Sequence, residues 1–250
     1  MQSPTEQAPL PRQHLKLLTY NVHSCIGTDR RLAPERVAEV IAALNPDIIG
    51  LQELDVGRRR TGGIDQAHAI ATILEMKFHF HAALTVAEER YGDAILTALP
   101  SRVVKTGPLP SIGEQRGAVW IEVDLGNKKI QVFNTHLGLR RRDRVAQAQA
   151  LVGPEWLDHP RCNDNPVILL GDFNSITVST AYKRIASRLT DVRHKISPSL
   201  GPTYPSHFPL LKLDHIFVSP DIEAVDASVD ASPLAKLASD HLPLLATVAV

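Results

Sequence analysis

Pro166-Val167-Ile168-Leu169-Leu170-Gly171-Asp172-Phe173-Asn174 is the stretch from which the fold can be read. An apolar run with β-branched side chains, stopped by a glycine, predicts a short central strand buried on both faces. An aspartate and an asparagine stand where that strand surfaces. Strand ends of this kind carry polar chemistry on a rigid support. The arrangement recurs at Leu213–Val218, beside Asp214, and the chain closes on Leu242–Val250, a strand whose entry Pro243 marks.

Working outward, Leu15–Val22 reads as a strand, and Val37, Val40, Ile41 and Leu44 then share one helical face behind Pro34, which suits a first turn. Asp47–Leu54 returns as a buried strand. A helix is expected over Ile64–Met76, short strands around Phe78–Leu84 and Ala94–Leu99, and another helix over Arg141–Leu157. Val119, Ile121, Val123 and Leu125 recur at every second position. Gly126-Asn127 then supplies a turn and Lys129–Thr135 the partner strand, which makes this the clearest hairpin. Strands mixed with a few helices along the whole chain, without repeat or linker, predict one sheet-rich α/β or α+β domain.

The composition narrows the partners. Of the 250 residues 44% are hydrophobic, ample for a core, and Lys plus Arg and Asp plus Glu both number 27. A chain of zero formal charge has no broad field to attract a polyanion, so nucleic acid is not favoured as a partner and would need a local basic patch. Cys25 and Cys162 have neither metal-ligand nor redox spacing, and are read as free thiols of a reducing cytosol. The polar, proline-rich start, Met1–Arg12, has no signal-peptide core, so residues 1–13 are expected to form a flexible tail and 14–250 the catalytic domain. No run approaches the roughly 18 apolar residues of a membrane span. A cytoplasmic protein with no obligate protein partner is the expectation.

Polar residues cluster at strand ends in five places: Thr19-Tyr20-Asn21-Val22-His23, Leu51-Gln52-Glu53, Asn134-Thr135-His136-Leu137, Gly171-Asp172-Phe173-Asn174 and Ser239-Asp240-His241. Taken singly, each is better read as a turn, a salt bridge or a hydrogen-bonded core histidine. Together, Glu53, Asp172 and Asp240 are hard oxygen ligands beside two asparagine amides and two imidazoles. That set suits Mg²⁺ or Mn²⁺ rather than structural zinc. Hydrolysis of a phosphate ester calls for such groups, because the negative oxygens around phosphorus must be offset before water can approach.

In order and wording these motifs resemble the endonuclease/exonuclease/phosphatase superfamily, over about Leu15 to Val250. GDFN at 171–174 combined with SDH at 239–241 is the most specific element. Abasic-site endonucleases, secreted nucleases of the DNase I type, inositol-polyphosphate phosphatases and bacterial sphingomyelinases belong to that superfamily. The resemblance implies an α+β, four-layer αββα sandwich, two mixed and mostly antiparallel sheets flanked by helices. It also implies residue roles. Asn21 positions phosphate and metal, Glu53 is the principal metal ligand, and Asp240 completes the metal end. His136 hydrogen-bonds the phosphoryl group, Asp172 orients or activates water, and Asn174 holds phosphate or a metal ligand water. His241 contacts phosphate or acts as general base, with Asp214 as the carboxylate that fixes its tautomer.

Phe208–Asp214 resembles the small single-domain bacterial members, whose substrates are often unassigned. Two positions depart from the family pattern. Asp93, in Tyr91-Gly92-Asp93-Ala94, stands where many members have asparagine, and His23 where some carry an acidic ligand.

Three basic sites are candidates for holding substrate: Arg58 in the Gly57–Gly63 loop just after Glu53, Arg116, and Arg140 at the head of Arg140-Arg141-Arg142. For each, a solvated or ion-paired surface stands beside the substrate reading. In Phe78-His79-Phe80-His81 both histidines fall on one strand face, expected to meet solvent, and Trp120 and Trp156 are expected to pack rather than stack on bases. The function that follows is a divalent-metal-dependent phosphoesterase acting on a small-molecule or lipid-like phosphate mono- or diester. A Mg²⁺-dependent nuclease is the enzymatic alternative, and a non-catalytic binding protein the alternative of another class.

Overall fold

The computed structural model describes residues 12–197 and 200–250. The expected tail at residues 1–11 lies outside the described residues. Gln13 exchanges backbone hydrogen bonds with Val250 (3.2 and 3.0 Å), and the Arg12 guanidinium meets Glu223 at 2.8 Å, so the described chain begins pinned to a sheet.

Among the described residues, twelve strands form two six-stranded sheets. In chain order they are β1 (His14–Asn21), β2 (Ile48–Val56), β3 (Lys77–Val86), β4 (Glu89–Thr97), β5 (Ser101–Leu109), β6 (Arg116–Asp124), β7 (Lys129–His136), β8 (Val167–Asp172), β9 (Thr190–Asp191), β10 (Asp214–Val218), β11 (Glu223–Val229) and β12 (Leu244–Ala249). The sheet orders are β11-β12-β1-β2-β4-β3 and β5-β6-β7-β8-β10-β9. The helices are α1 (Pro34–Leu44), α2 (Gln66–Ile73), α3 (Arg141–Leu151), α4 (Pro160–Asn163), α5 (Thr180–Ala186), α6 (Val192–Ile196) and α7 (Pro233–Ala238).

Three buried clusters define four layers, and the strand pleat, which sends successive side chains to opposite faces, sorts residues among them. Leu17, Ile48, Ile95, Val119, Ile121, Ile168, Ile216 and Val248 meet between the sheets. Their neighbours Leu18, Ile49, Ala94 and Leu96 face the other way, onto Val37, Ile41 and Ile70 of α1 and α2. On the second sheet Trp120, Phe133, Leu169 and Phe217 turn outward onto Ala148, Leu151, Tyr182 and Ile185 of α3 and α5. The expected αββα sandwich is therefore present, with strands apolar on both faces because both faces are covered.

Each sheet has one parallel pair at its centre, β1 with β2 and β7 with β8, amid antiparallel neighbours. Asn21, His136 and Asp172 occupy the carboxyl ends of three of these strands, and Glu53 lies in the carboxyl half of β2. Antiparallel β10 and β12 begin at that same end, so Asp214 at the start of β10 pairs in register with Asp172. Asp240 and His241 lie just before β12. Four of the clusters lie at or near the carboxyl ends of the two parallel pairs and the fifth precedes antiparallel β12, which begins at the same end.

Several expected boundaries shift. The helix foreseen over 141–157 ends at Leu151, ahead of Gly153-Pro154, and Trp156 and Leu157 fold back into the outer core. The helix foreseen over 64–76 spans only Gln66–Ile73, opened by Asp65, whose side chain accepts the His68 N–H. Polar-rich β5 and β11 were not foreseen; both are sheet edges, where apolar periodicity is weak. His79 and His81 are half-buried between the sheets rather than turned fully to solvent. His79 Nε2 lies 2.9 Å from Ser101 Oγ of β5, and His81 is packed so closely over Gly117 of β6 that a Cβ there would come within 2.3 Å of its ring nitrogen. Trp120 stacks on Phe133, and both tryptophans are core residues, as expected.

Candidate active site

The site is assembled around a defect in β2. The register of β2 against β4 slips between Leu51 and Leu54, and Glu53 takes a left-handed φ of 63°. A bulge of this kind re-aims a side chain that regular pleating would send elsewhere, and the Glu53 carboxylate projects into the cavity. Asn134 compensates for the broken ladder: its amide nitrogen donates to Leu51 O and Ala94 O, both at 2.8 Å. Its oxygen accepts from Gln52 Nε2 at 2.7 Å, tying the two sheets together beneath the site. Gln52 and Asn134 stood in the sequence clusters without an assigned role; the structure makes them supports for Glu53.

Gly171 allows β8 to approach β7 directly beneath the site, since a Cβ there would come within 2.2 Å of Thr135 O. Asp172, at the end of β8, is buried at the centre of the site. Its Oδ1 accepts the Asn174 N–H at 2.8 Å, and its Oδ2 accepts from Asn21 Nδ2 at 3.1 Å. The same Asn21 nitrogen reaches Glu53 Oε1 at 3.0 Å, so one amide bridges the two carboxylates. Burial pushes Asp172 up to about 6; His241 opposes that rise and Asp214 adds to it.

The two imidazoles are held in opposite protonation states. Arg116 places Nη1 2.9 Å from His136 Nδ1. A guanidinium can only donate, so Nδ1 accepts and the proton of His136 resides on Nε2. Burial, with Arg116 and His241 nearby, holds His136 well below the usual histidine range. Its Nε2–H points at Asp172 Oδ2 (3.4 Å) and Glu53 Oε1 (4.0 Å). Asn174 Nδ2, which donates to Leu137 O at 2.9 Å, also lies 3.0 Å from His136 Nε2. With the His136 proton on Nε2 the two nitrogens are both donors, so this contact is not a hydrogen bond and Asn174 Nδ2 donates to Leu137 O instead.

His241 is the charged partner. Burial would lower it, but the carboxylates of Asp214, Asp172 and Asp240 outweigh that, and it is pushed up to about 10. Its Nδ1 meets Asp214 Oδ2 at 2.9 Å, while Nε2 faces Asp172 Oδ2 at 3.7 Å. The Tyr204 ring lies against the imidazole at 4.7 Å between centroids. Nothing in the sequence around Tyr204 signalled that contact, which depends on a loop folding back over the strand end.

These residues open onto one cavity of about 590 Å³, lined by His23, Glu53, Asp172, Asn174, Asp240 and His241 among others. His23 Nδ1 stands 3.6 Å from Asp240 Oδ1. Of the basic candidates, Arg58 and Arg116 line the cavity and Arg140 does not. Arg58 is also engaged with Asp55 and Glu89 (3.8 and 3.6 Å). The loop carrying it is braced by Arg60, which holds Asp55 through two bonds of 2.7 and 2.8 Å. Arg116 Nη1 is shared between His136 and Glu114, whose Oε1 lies 3.1 Å away.

The donor set can be tested for a cation. Asp172, Asp214 and His241 each offer a ligand atom within 4.8 Å of the others. Asp214 Oδ2 and His241 Nδ1 already satisfy one another, however, so this triad is better described as a hydrogen-bonded acid–imidazole pair beside Asp172. On the Glu53–Asp172–Asp240 side the donors are oxygens, and Asp93 lies behind them, fully buried. Arg116 and His241 stand among these carboxylates, with Arg58 and Arg60 on the cavity wall and Arg193 beside Asp214. The three hard oxygen ligands Glu53, Asp172 and Asp240 fit a divalent cation.

The family model for the Endonuclease/Exonuclease/phosphatase family matches residues 18–241, and the chain belongs to that family. Members hydrolyse phosphoester bonds and generally use divalent metals. The uncharacterized protein YbhP of Escherichia coli (strain K12) is 27% identical over 248 residues, 93% of this chain and 95% of that protein. Among solved structures, an endonuclease/exonuclease/phosphatase from Beutenbergia cavernae superposes with a TM-score of 0.79 at 23% identity, over 96% of this chain and 72% of that one. A mannosyl-6-phosphatase from Bacteroides thetaiotaomicron gives 0.76 at 22% identity, over 94% and 99%. The fold is thus DNase I-like. Among the described residues no helix is long and apolar enough to cross a membrane.

Proposed function

We propose that this protein is a Mg²⁺- or Mn²⁺-dependent phosphoesterase that cleaves a phosphate mono- or diester of a small or lipid-like alcohol by attack of water. The observation that carries this reading is the meeting, in one cavity, of the Glu53–Asn21–Asp172 bridge with two imidazoles of fixed and opposite protonation. Glu53 and Asp240, with Asp172 at their edge, would hold the cation, which would withdraw charge from the phosphoryl oxygens. His136 Nε2–H, Asn174 Nδ2 and the His241 imidazolium would donate to those oxygens as charge builds in the transition state. Asp172 Oδ2, accepting from Asn21, would orient the attacking water and take its proton, while the His241 imidazolium would give one to the alcohol oxygen as its bond to phosphorus breaks. A carboxyl lifted to about 6 holds a proton better than an ordinary aspartate and is still ionised in most molecules near neutral pH.

Zero formal charge and a mouth flanked by leucines weigh against a nuclease, and the retained set of reactive groups weighs against a purely binding role. A panel of nucleotide, sugar, lipid and nucleic-acid esters, supplemented with Mg²⁺ or Mn²⁺, tests the proposal. Turnover should stop with chelator, return with metal, and fall at least about a hundredfold in Glu53→Gln. Hydrolysis that survives chelation, or no hydrolysis across the panel, would overturn it.

A further inference from the structure

Polar and charged side chains line most of the cavity, but large apolar ones are exposed at its edge. Leu139 and Leu211 line it and are 74% and 41% exposed. Beyond them stand Ile112 (74%), Phe208 (72%), Leu210 (66%) and Val178 (68%), each on a loop at the strand ends that form the site. A lone exposed leucine needs no account, but six large apolar side chains exposed on loops at one end of the sandwich do.

The loop bearing Phe208 and Leu210 is braced and cannot simply fold its apolar tip away. Tyr204 O accepts from both Leu210 N and Leu211 N at 2.8 Å, and Thr203 N donates to Leu211 O at 2.9 Å. Its base is tied to the catalytic segment, with Ser206 N donating to Asp240 O at 2.7 Å and Leu242 N to Thr203 O at 2.8 Å. The apolar tip and His241 are therefore parts of one rigid unit, joined also through the Tyr204 ring.

Charge on the same rim suggests what covers it. Arg140, Arg141 and Arg142 are exposed at the start of α3, and their side chains have no ion-pair partner among the described residues. Three cations at the positive end of a helix dipole oppose that dipole, so their placement does nothing for the fold. Arg141 shares a surface hollow with Val178, and the Arg140 side chain lies against Gly113, next to Ile112. Apolar side chains interleaved with unpaired arginines match the boundary of an anionic bilayer, where the former enter the acyl edge and the latter meet the headgroups.

We propose that the rim of the cavity is a docking surface for an anionic lipid bilayer, and that the ester cleaved is the phosphate of an apolar alcohol resident in that bilayer. The substrate class rests on the phosphoesterase reading; the docking surface does not. Purified full-length protein should cosediment with vesicles containing phosphatidylglycerol and much less with phosphatidylcholine alone, and salt should weaken the association. Phe208→Ser with Leu210→Ser, and separately Arg141→Glu with Arg142→Glu, should each weaken partitioning about tenfold or more. Both pairs should leave turnover of a water-soluble chromogenic phosphate ester unchanged. No association of the wild type with anionic vesicles, or equal association of the variants, would overturn the docking surface. If turnover of the soluble ester persisted in that case, the function proposed above would stand without it. Vesicle association with no ester hydrolysed would keep the surface and remove the substrate. A wild-type dimer that Phe208→Ser converts to monomer would assign the rim to a second copy of the chain and overturn the proposal.

Discussion

Replacing Asp93 by asparagine should stabilise the protein, and by an amount that grows with pH. Asp93 is fully buried beside Glu53, Asp172 and Arg116. Burial dominates its titration and pushes it from 3.8 up to about 7, although Arg116 and a hydrogen bond from the Glu53 backbone pull the other way. The sign follows from proton counting. Above pH 3.8 the unfolded chain has released the proton that the folded chain keeps until about pH 7, so wild-type stability declines across that window and then levels off. Each pH unit is worth about 1.4 kcal/mol, so between about pH 5 and pH 8 the advantage of Asp93→Asn should widen by up to about 3 kcal/mol. Asparagine retains an oxygen to accept the Glu53 N–H, so the hydrogen bond need not be lost. Urea unfolding of both proteins at these two pH values, with chelator present to keep cations out of the site, measures the difference. A pH-independent gap, or a variant that is less stable at pH 8, would refute the reasoning and show that the Asp93 charge is a needed partner for Arg116.

Three further outcomes are expected. Arg116→Gln removes the cation that determines which His136 nitrogen carries the proton, so nitrogen NMR should show both tautomers and kcat should fall about 10- to 100-fold with little change in KM; an unchanged tautomer would deny Arg116 this role. Asp214→Asn should bring His241 down from about 10, moving the alkaline limb of the pH–rate profile to lower pH, because the carboxylate that holds its proton is gone; a limb that stays in place would assign it to another group. Asn134→Ala leaves the Leu51 and Ala94 carbonyls buried without their donor, and should cost about 2–5 kcal/mol in chemical denaturation; a loss under about 1 kcal/mol would show that water or neighbouring backbone replaces the clamp.

The sequence by itself determined which residues could be reactive. Asn21, Glu53, His136, Asp172, Asn174, Asp214, Asp240 and His241 were legible because each stands at the end of an apolar run, and such periodicity is a local property of the chain. Periodicity reached only as far as a sheet-rich α/β or α+β domain; the four-layer sandwich was implied by the resemblance of the GDFN and SDH motifs to the endonuclease/exonuclease/phosphatase superfamily. Only the tertiary structure decided what those groups do. That His136 is neutral and His241 charged depends on Arg116 at one imidazole and Asp214 at the other, contacts between residues 20 and 27 positions apart. That Arg116 faces His136 while Arg140 lies outside the cavity follows from strand pairing and helix placement, and runs of arginine look alike in sequence. The bulge at Glu53, the Asn134 clamp and the Tyr204 loop over His241 were equally hidden. Each is a pairing between segments distant in sequence, and local residue type says nothing about which distant partner a group will meet once the sheets have packed.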